Sequence, residues 1–279
     1  MLCASIDKNY SIKMPELPEV ESIRRRLSRH ILGKPILSVE TELPRIVRQG
    51  ELSQMVGLSI TSIDRQGKYL VFKTNSLLIL YAHLRMTGTF LYFDNAEDRV
   101  KDHICARWEF ADGELLYRDV RTLGGLWVSV DGVPPWKALG LDPLDKKLTW
   151  KEFAGLLSHK KSPIKAVLLD QSVIAGVGNI YACEALFAAQ INPRRPADEI
   201  SEKSYRKLFK ELKCILWSAI EASGTTFRDF RLSDGREGGF QNFLKVYGKA
   251  GATCPRCAQP IEKVVVAQRS AYFCPNCQK

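Results

Sequence analysis

The chain has 279 residues, 45% of them hydrophobic and 26% charged, and its formal net charge is +10. This length allows two domains or one large one around a real core, and no apolar run approaches the roughly 18 residues that a membrane span needs. The positive charge suggests a polyanionic partner such as nucleic acid or an anionic membrane, although a merely basic protein would show the same total.

The first predicted element is a helix. Apolar residues recur at spacings of three and four from Pro18 to about Leu32, which is the pattern of an amphipathic helix. Glutamates precede arginines along it, an order that suits the helix dipole. The arginines therefore form either a solvated helix face or a DNA contact: Arg24, Arg25, Arg26 and Arg29. Ahead of this helix, residues 1–13 lack the long apolar core of a secretory signal.

Short strands follow, from Pro35 to about Val133. Turn signals at residues 74–76 and at Asp112-Gly113 separate apolar runs, and several such strands predict a β-sandwich or barrel. A segment with prolines and glycines at 134–147 predicts a linker. Beyond it, four segments carry apolar residues at helical spacing: TWKEFAGLLS, PIKAVLLDQSV, NIYACEALFAA and residues 201–223. Residues 224–242 are rich in glycine and charge and predict a mobile loop.

Two of these helices are joined by a loop that contains Gly176, Gly178 and Asn179. Glycines let backbone N–H groups approach an anion, and a helix N-terminus favours negative charge. Asn179 is a suitable N-cap for the second helix. Three lysines upstream favour a phosphate as the anion: Lys160, Lys161 and Lys165.

The last thirty residues contain four cysteines in two Cys-x-x-Cys pairs, Cys254/Cys257 and Cys274/Cys277. This spacing places four thiolates around one tetrahedral Zn²⁺ with no open position, so the predicted zinc is structural. The other cysteines are scattered singly, which indicates a reducing compartment. Between the pairs we predict a hairpin whose turn lies near Gln268-Arg269 and whose guanidinium can fork onto a phosphate.

Several of these segments resemble the formamidopyrimidine-DNA glycosylase family, collinearly over residues 14–279. The resemblance is carried by MPELPEVE at 14–21, GKYL at 67–70, HLRMTG at 83–88, GVGNIYACE at 176–184, and the cysteine finger with AQR at 267–269. It implies an α+β fold with an N-terminal β-sandwich and helix, a helix–two-turn–helix domain and a C-terminal zinc-finger hairpin. The expected division is 1–13 (extension), 14–133 (sandwich), 134–147 (linker), 148–247 (helical, with a lesion loop at about 223–242) and 248–279 (finger).

The resemblance also implies an activity, which is excision of oxidised purines from double-stranded DNA followed by strand cleavage at the abasic site. Pro15 is the expected nucleophile, Glu16 the acid–base partner, Lys68 a proton donor and phosphate contact, and Arg269 a phosphate contact and second proton donor. The expected DNA-contacting residues are His83, Met86, Lys101, His103, Arg121, Leu123, Lys160, Asn179 and Glu184. Met86 and Arg121 would fill the gap left by the flipped base.

The sequence departs from the family pattern at three places. Leu123 stands where a phenylalanine is common and offers no aromatic stacking. Lys101, just before Asp102-His103, stands where a DNA-contacting histidine is common, so the DNA contact is either Lys101 or His103. The third departure is the extension, because an internal proline nitrogen is an amide that cannot attack. We therefore expect residues 1–13 to be absent from the mature enzyme, and Met14 to be excised before Pro15.

Three rival readings remain at this point. They are an endonuclease VIII-type enzyme for oxidised pyrimidines, a non-catalytic DNA-binding relative that keeps the extension, and an RNA-binding zinc ribbon. The expected location is the bacterial cytoplasm at the nucleoid, and the expected state is a monomer without a membrane partner.

Overall fold

A computed structural model describes residues 14–94, 100–225 and 238–279. The predicted extension and most of the predicted lesion loop lie outside these ranges. The helices are Leu17–His30 (α1), Trp150–Leu157 (α2), Ile164–Leu169 (α3), Asn179–Ala189 (α4) and Glu202–Glu221 (α5). Within the described ranges, none of the helices is both long enough and apolar enough to cross a membrane.

The strands form two sheets and a separate hairpin, as the fold prediction required. They are Ser38–Glu40 (β1), Val47–Gln49 (β2), Ile60–Gln66 (β3), Tyr69–Thr74 (β4), Ile79–His83 (β5), Gly88–Phe93 (β6), Ile104–Phe110 (β7), Gly113–Asp119 (β8), Gly125–Ser129 (β9), Glu262–Val266 (β10) and Arg269–Phe273 (β11). One sheet has the order β1-β7-β8-β6 and the other β2-β9-β5-β4-β3. Buried aromatic residues such as Phe72, Phe90 and Trp108 fill the space between them.

Helix α1 belongs to two cores at once. Val20, Ile23 and Leu27 pack into the sandwich core, whereas Leu17 packs with the helices of the second half. Among the arginines that follow, Arg24 and Arg25 pair with Glu21 within α1, at 2.8 and 3.0 Å. Arg25 also reaches Glu221 of α5 at 3.2 Å. For these two arginines the structure supplies protein partners, and the choice between a solvated face and a DNA contact stays open.

The predicted linker is fixed to both halves. The ring of Trp136 lies 4.6 Å from that of Tyr69 and 5.3 Å from that of Tyr81, measured between centroids. Further on, Asp142 pairs with Arg65 of β3 at 2.7 Å. On the helical side, the backbone N–H of Leu141 donates to the oxygen of Val173 at 3.1 Å, and the Leu141 oxygen accepts the N–H of Ala175 at 2.9 Å. The segment therefore holds the sandwich against the helices, and its exact limits at 134 and 147 stay predictions.

Helix α4 differs from the sequence prediction. An apolar face was expected, but the helix is buried on nearly all sides, as a uniformly apolar helix must be. Its one acidic residue, Glu184, is 4% exposed. Both carboxylate oxygens of Glu184 accept backbone N–H groups, from Lys245, Val246 and Tyr247 at 2.8–3.0 Å.

Candidate functional site

A cleft of about 990 Å³ opens where the sandwich, the helical part and the finger meet. The wall contains residues from all three parts, although they are far apart in the sequence. Six of the residues predicted for the site line this cleft: Glu16, Lys68, His83, Met86, Asn179 and Arg269. Pro15 is buried between Met14 and Glu16, both of which line the cleft.

The carboxylate of Glu16 sits at the N-terminus of α4. It accepts the backbone N–H groups of Ile180 at 3.0 Å and Tyr181 at 3.4 Å, and Glu16 is 4% exposed. Burial raises the pKa of Glu16, whereas the Lys68 ammonium and the α4 amides oppose that rise. A carboxyl with a raised pKa next to a cation is suited to transfer protons near neutral pH.

This arrangement corrects the N-cap prediction, whereas a phosphate contact by Asn179 stays a prediction. The anion at the N-terminus of α4 is the Glu16 side chain, and the N-cap residue is Gly178 rather than Asn179. A glycine is required there by close approach, because a Cβ at position 178 would lie 2.2 Å from the Glu16 carboxyl carbon. The side chain of Asn179 instead donates to the backbone oxygen of Ser270 in the finger, at 3.0 Å.

A second buried glutamate, Glu19, supports the first. Its carboxylate accepts the backbone N–H of Glu16 at 2.8 Å, the hydroxyl of Tyr181 at 2.6 Å and the backbone N–H of Thr225 at 2.8 Å. Burial raises the pKa of Glu19 from 4.5 to about 7, and the negative charge of Glu16 adds to the rise. Glu19 thus connects the start of α1 to α4 and to the residue at which the predicted lesion loop departs.

Two ionisable side chains from the sandwich, Lys68 and His83, also line the cleft. Burial lowers the pKa of Lys68, against the attraction of Glu16 and Glu19, and Arg269 lowers it further. Burial together with nearby Arg85 and Lys68 lowers the pKa of His83 to about 3. His83 is therefore neutral at physiological pH, and its Nδ1 accepts the backbone N–H of Arg85 at 3.1 Å. This bond shapes the turn that presents Met86.

The finger brings Arg269 to the opposite wall. Strands β10 and β11 are joined by Ala267 and Gln268, both with positive φ (49° and 58°), a conformation typical of a tight hairpin turn. The turn thus lies one residue earlier than predicted, and Arg269 is the first residue of β11, paired with Val266. Next to it, the backbone oxygen of Ser270 accepts Lys165 Nζ at 3.0 Å, so the hairpin is tied to α3 as well as to α4.

The four cysteines of the finger converge as predicted. Their sulfur atoms all lie within 4.8 Å of one another, with Cys257 and Cys274 at 3.4 Å and Cys254 and Cys277 at 3.9 Å. Tetrahedral coordination with Zn–S bonds of about 2.3 Å requires sulfur separations of about 3.8 Å. The site therefore fits one Zn²⁺, and four thiolates leave it closed and structural.

The remaining predicted residues lie outside the walls of the cleft. Arg121 and Leu123 are exposed on the loop after β8, and Arg121 Nη1 approaches Met86 Sδ to 3.3 Å. Lys101 and His103 are exposed on the segment before β7, and the choice between them stays open. Lys160 is half-buried beyond the end of α2. Glu184 is not brought to the cleft, since its carboxylate is engaged by backbone amides; it supports Tyr247, which does line the cleft.

Sequence reasoning missed most of the aromatic wall. Tyr69, Trp136, Tyr247 and Tyr272 line the cleft, but they stood in segments interpreted as strand, linker, helical domain and finger, in that order. Gln171 was also missed: its side chain donates to two backbone oxygens and accepts the Gly176 N–H at 2.8 Å, and so shapes the glycine loop. The only sequence signal for these positions is that aromatic residues stand close to basic residues along the chain.

Comparison with known families gives three matches along the chain. The N-terminal domain of formamidopyrimidine-DNA glycosylase matches residues 14–126. The H2TH domain of the same enzyme matches residues 139–231. A zinc finger found in FPG and IleRS matches residues 251–279.

Individual relatives are similar over nearly the whole chain. The formamidopyrimidine-DNA glycosylase of Pelotomaculum thermopropionicum is 39% identical, over 95% of this chain and 99% of the relative. Lactococcus lactis Fpg in complex with abasic-site DNA is 38% identical, with a TM-score of 0.87 over 95% of this chain and 99% of that one. The same enzyme with DNA containing N7-benzyl-Fapy-dG gives 38% identity and a TM-score of 0.87 over 95% and 100% of the two chains.

Proposed function

This chain belongs to the formamidopyrimidine-DNA glycosylase family, and we propose that it removes oxidised purines from double-stranded DNA and then cleaves the strand at the abasic site. The observation that carries this function is the cleft that Glu16, Lys68 and Arg269 line together, although they come from the residue before α1, the sandwich and the finger. The RNA-binding zinc ribbon would use only the finger. The match to the formamidopyrimidine family favours purines over the endonuclease VIII-type reading.

The basic groups of the cleft suit a DNA backbone. Lys68, Arg85, Lys263 and Arg269 line it, and cationic side chains that neutralise phosphates supply the sequence-independent part of DNA affinity. Aromatic residues on the same wall can receive a nucleotide turned out of the stack, which an enzyme must do to reach the glycosidic carbon. One chain supplies every one of these groups, so we propose a monomer that acts on chromosomal DNA in the bacterial cytoplasm.

We assign the covalent chemistry to Pro15. With a free secondary amine, Pro15 attacks C1′ of the damaged nucleotide, and the base leaves with a proton from a cleft acid. The C1′–O4′ bond then breaks, O4′ takes a proton as the sugar ring opens, and a cationic Schiff base remains at C1′. That cation acidifies the C2′ proton, and its loss starts the elimination that cuts the strand. Glu16, with its raised pKa, is suited to exchange protons with the amine and the sugar. Lys68 and Arg269 are suited to hold the phosphate and protonate the leaving oxygens.

This assignment requires that Pro15 be the first residue of the active form. With residues 1–14 attached, the Pro15 nitrogen is an amide whose lone pair is delocalised. We therefore propose that the active enzyme begins at Pro15. We also expect a form that keeps the extension to bind DNA without reacting, because the DNA-binding groups of the cleft are separate from the Pro15 nitrogen.

Borohydride trapping tests whether Pro15 is the nucleophile and whether the extension prevents its reaction. Protein beginning at Pro15 and protein retaining residues 1–14, each confirmed by mass, are mixed with duplex containing 8-oxoguanine and with borohydride. We expect a covalent protein–DNA adduct from the first form only, because only its imine can form and be reduced. Equal trapping by the longer form would assign the nucleophile to another amine such as Lys68, and no trapping or excision by either form would refute the proposed activity.

A further inference from the structure

One buried carboxylate has no part in the chemistry proposed above. Asp119 ends β8 and is 0% exposed, directly before the loop that carries Arg121 and Leu123. Its Oδ1 accepts the hydroxyl of Thr87 at 2.5 Å and the backbone N–H of Arg121 at 3.3 Å. Its Oδ2 accepts the backbone N–H of Gly124 at 2.8 Å. The carboxylate thus holds the loop at both ends.

Thr87 connects this loop to the turn that carries Met86. Its hydroxyl donates to Asp119 and accepts the backbone N–H of Arg121 at 3.0 Å, and Thr87 is only 3% exposed. The backbone of Asp119 adds a third segment, because its N–H donates to the oxygen of His103 at 3.0 Å. Asp119 is therefore bonded to each of the three sandwich segments that carry predicted DNA contacts.

The same three segments hold unfavourable backbone conformations. Arg85, His103 and Thr122 have φ of 53°, 58° and 51°, and residues other than glycine keep such values where their surroundings enforce them. Packing is equally tight at Gly124, where a Cβ would lie 1.9 Å from Tyr117 Oη and 3.0 Å from Asp119 Oδ2. The geometry is that of a fixed presenting surface rather than of a loop that adapts to its ligand.

We propose that Asp119, acting with Thr87, is the positioning residue that presents Met86, Arg121 and Leu123 as one rigid wedge. The inference rests on the proposed function and extends it to the step before chemistry. Turning a base out of a duplex requires side chains that replace the lost stacking, and side chains on a rigid support do so without first being ordered. An abasic site in a single strand has no stacked base to turn out, so its cleavage does not need the wedge.

The test substitutes Asp119→Asn in the form that begins at Pro15. The amide NH₂ must replace one of the two oxygens, so it faces either the N–H of Arg121 or the N–H of Gly124, and one end of the loop is released. The readout is the ratio of two single-turnover rates, namely excision of 8-oxoguanine from duplex and cleavage of an abasic site in single-stranded DNA. We expect this ratio to fall at least tenfold. The fluorescence rise of 2-aminopurine placed beside the lesion, which reports unstacking, should slow in parallel.

The matched control is Asp131→Asn. Asp131 is exposed and accepts hydrogen bonds from Ser129 and Val133 within its own turn. The Asp131→Asn variant should therefore have the wild-type ratio of duplex excision to single-strand cleavage. A second pair of variants gives an answer even if Asp119→Asn does not fold: Thr87→Val should lower the ratio, and Thr87→Ser, which keeps the hydroxyl, should restore it. An unchanged ratio in the Asp119 and Thr87→Val variants, or equal loss of both rates, overturns the inference. Failure of the wild type to excise from duplex would refute the proposed function itself, and the inference with it.

Discussion

The substitution Gly178→Ala tests whether the N-terminus of α4 positions Glu16 for catalysis. The added Cβ would lie 2.2 Å from the Glu16 carboxyl carbon and 2.4 Å from Oε1, whereas ordinary contact begins at 3.4 Å. The carboxyl must therefore move by about 1.2 Å, which is the difference between 3.4 and 2.2 Å. The backbone at Gly178 has φ −128° and ψ −164°, a conformation open to alanine, so the clash is the only conflict.

A displacement of about 1 Å costs on the order of 10²-fold in rate when it affects a catalytic group. Overpacking a well-filled site costs about 1–3 kcal/mol in stability, partly offset by the lower entropy of the unfolded chain. We expect Gly178→Ala to lower single-turnover excision of 8-oxoguanine about 100-fold while binding to an abasic-site analogue changes little. The matched control is Gly155→Ala in α2, where a Cβ has no atom within 4 Å. This variant should keep the wild-type excision rate, and its free energy of unfolding should rise by about 0.5–1 kcal/mol.

A double-mutant cycle decides the cause. Glu16→Gln alone should lower excision by about 10²- to 10⁴-fold, the usual contribution of a positioned acid–base group. If Gly178→Ala acts through Glu16, it should cost no further rate in the Glu16→Gln background. A wild-type rate for Gly178→Ala, or a full additional loss in the double variant, would refute the reasoning.

Three other predictions follow from the finger and from the buried acids. Arg269→Ala should weaken binding to damaged and undamaged duplex alike and reduce the slope of log K against log salt by about one; an unchanged slope would remove Arg269 from the phosphate contacts. Cys257→Ser should release zinc and abolish DNA binding while the sandwich stays folded, as checked by metal analysis, titration and circular dichroism, and full binding by the metal-free variant would contradict it. The raised pKa of Glu19, from 4.5 to about 7, means that its proton stabilises the fold fully below pH 4.5 and that this contribution is lost as pH rises through 7. Relative to Glu19→Gln, unfolding free energy should fall by about 3 kcal/mol across that window, and parallel curves for the two proteins would show that Glu19 titrates normally.

The parts of the fold that sequence reasoning predicted depend on local patterns. The cysteine spacing predicted a closed metal site because four thiolates on one hairpin can meet in few ways. Helices α2 and α5 are preceded by the N-cap residues Thr149 and Ser201, whose side chains accept a backbone N–H from the first turn, and such caps can be read directly from the sequence. The hairpin of β7 and β8 was also predicted, with an offset of one residue, because Gly113 begins β8 instead of closing the turn.

The parts that were missed depend on partners distant in the sequence. Glu16 and Ile180 are separated by 164 positions, and a carboxylate that caps a remote helix leaves no periodic pattern near either residue. For the same reason Asn179 was expected to be a cap and Glu184 a lesion contact. Both side chains are polar in an apolar segment, and the sequence did not reveal their protein partners, which are the backbone of the finger for Asn179 and of residues 245–247 for Glu184. Their contacts with DNA stay predictions.

The acidic start of α1 has a physical purpose in this arrangement. Chain ends fray unless they are tied down, whereas an N-terminal amine can act as a nucleophile only if its position is fixed to within a fraction of an ångström. Three glutamates within six residues provide that fixation in three directions: Glu16 binds the amides of α4, Glu19 binds Tyr181 and Thr225, and Glu21 binds arginines of α1 and β3. Burial of the first two raises their pKa values, which costs stability at neutral pH and leaves protonatable groups next to Pro15. In the proposed active form, which begins at Pro15, the same side chains would therefore anchor the terminus and exchange its proton.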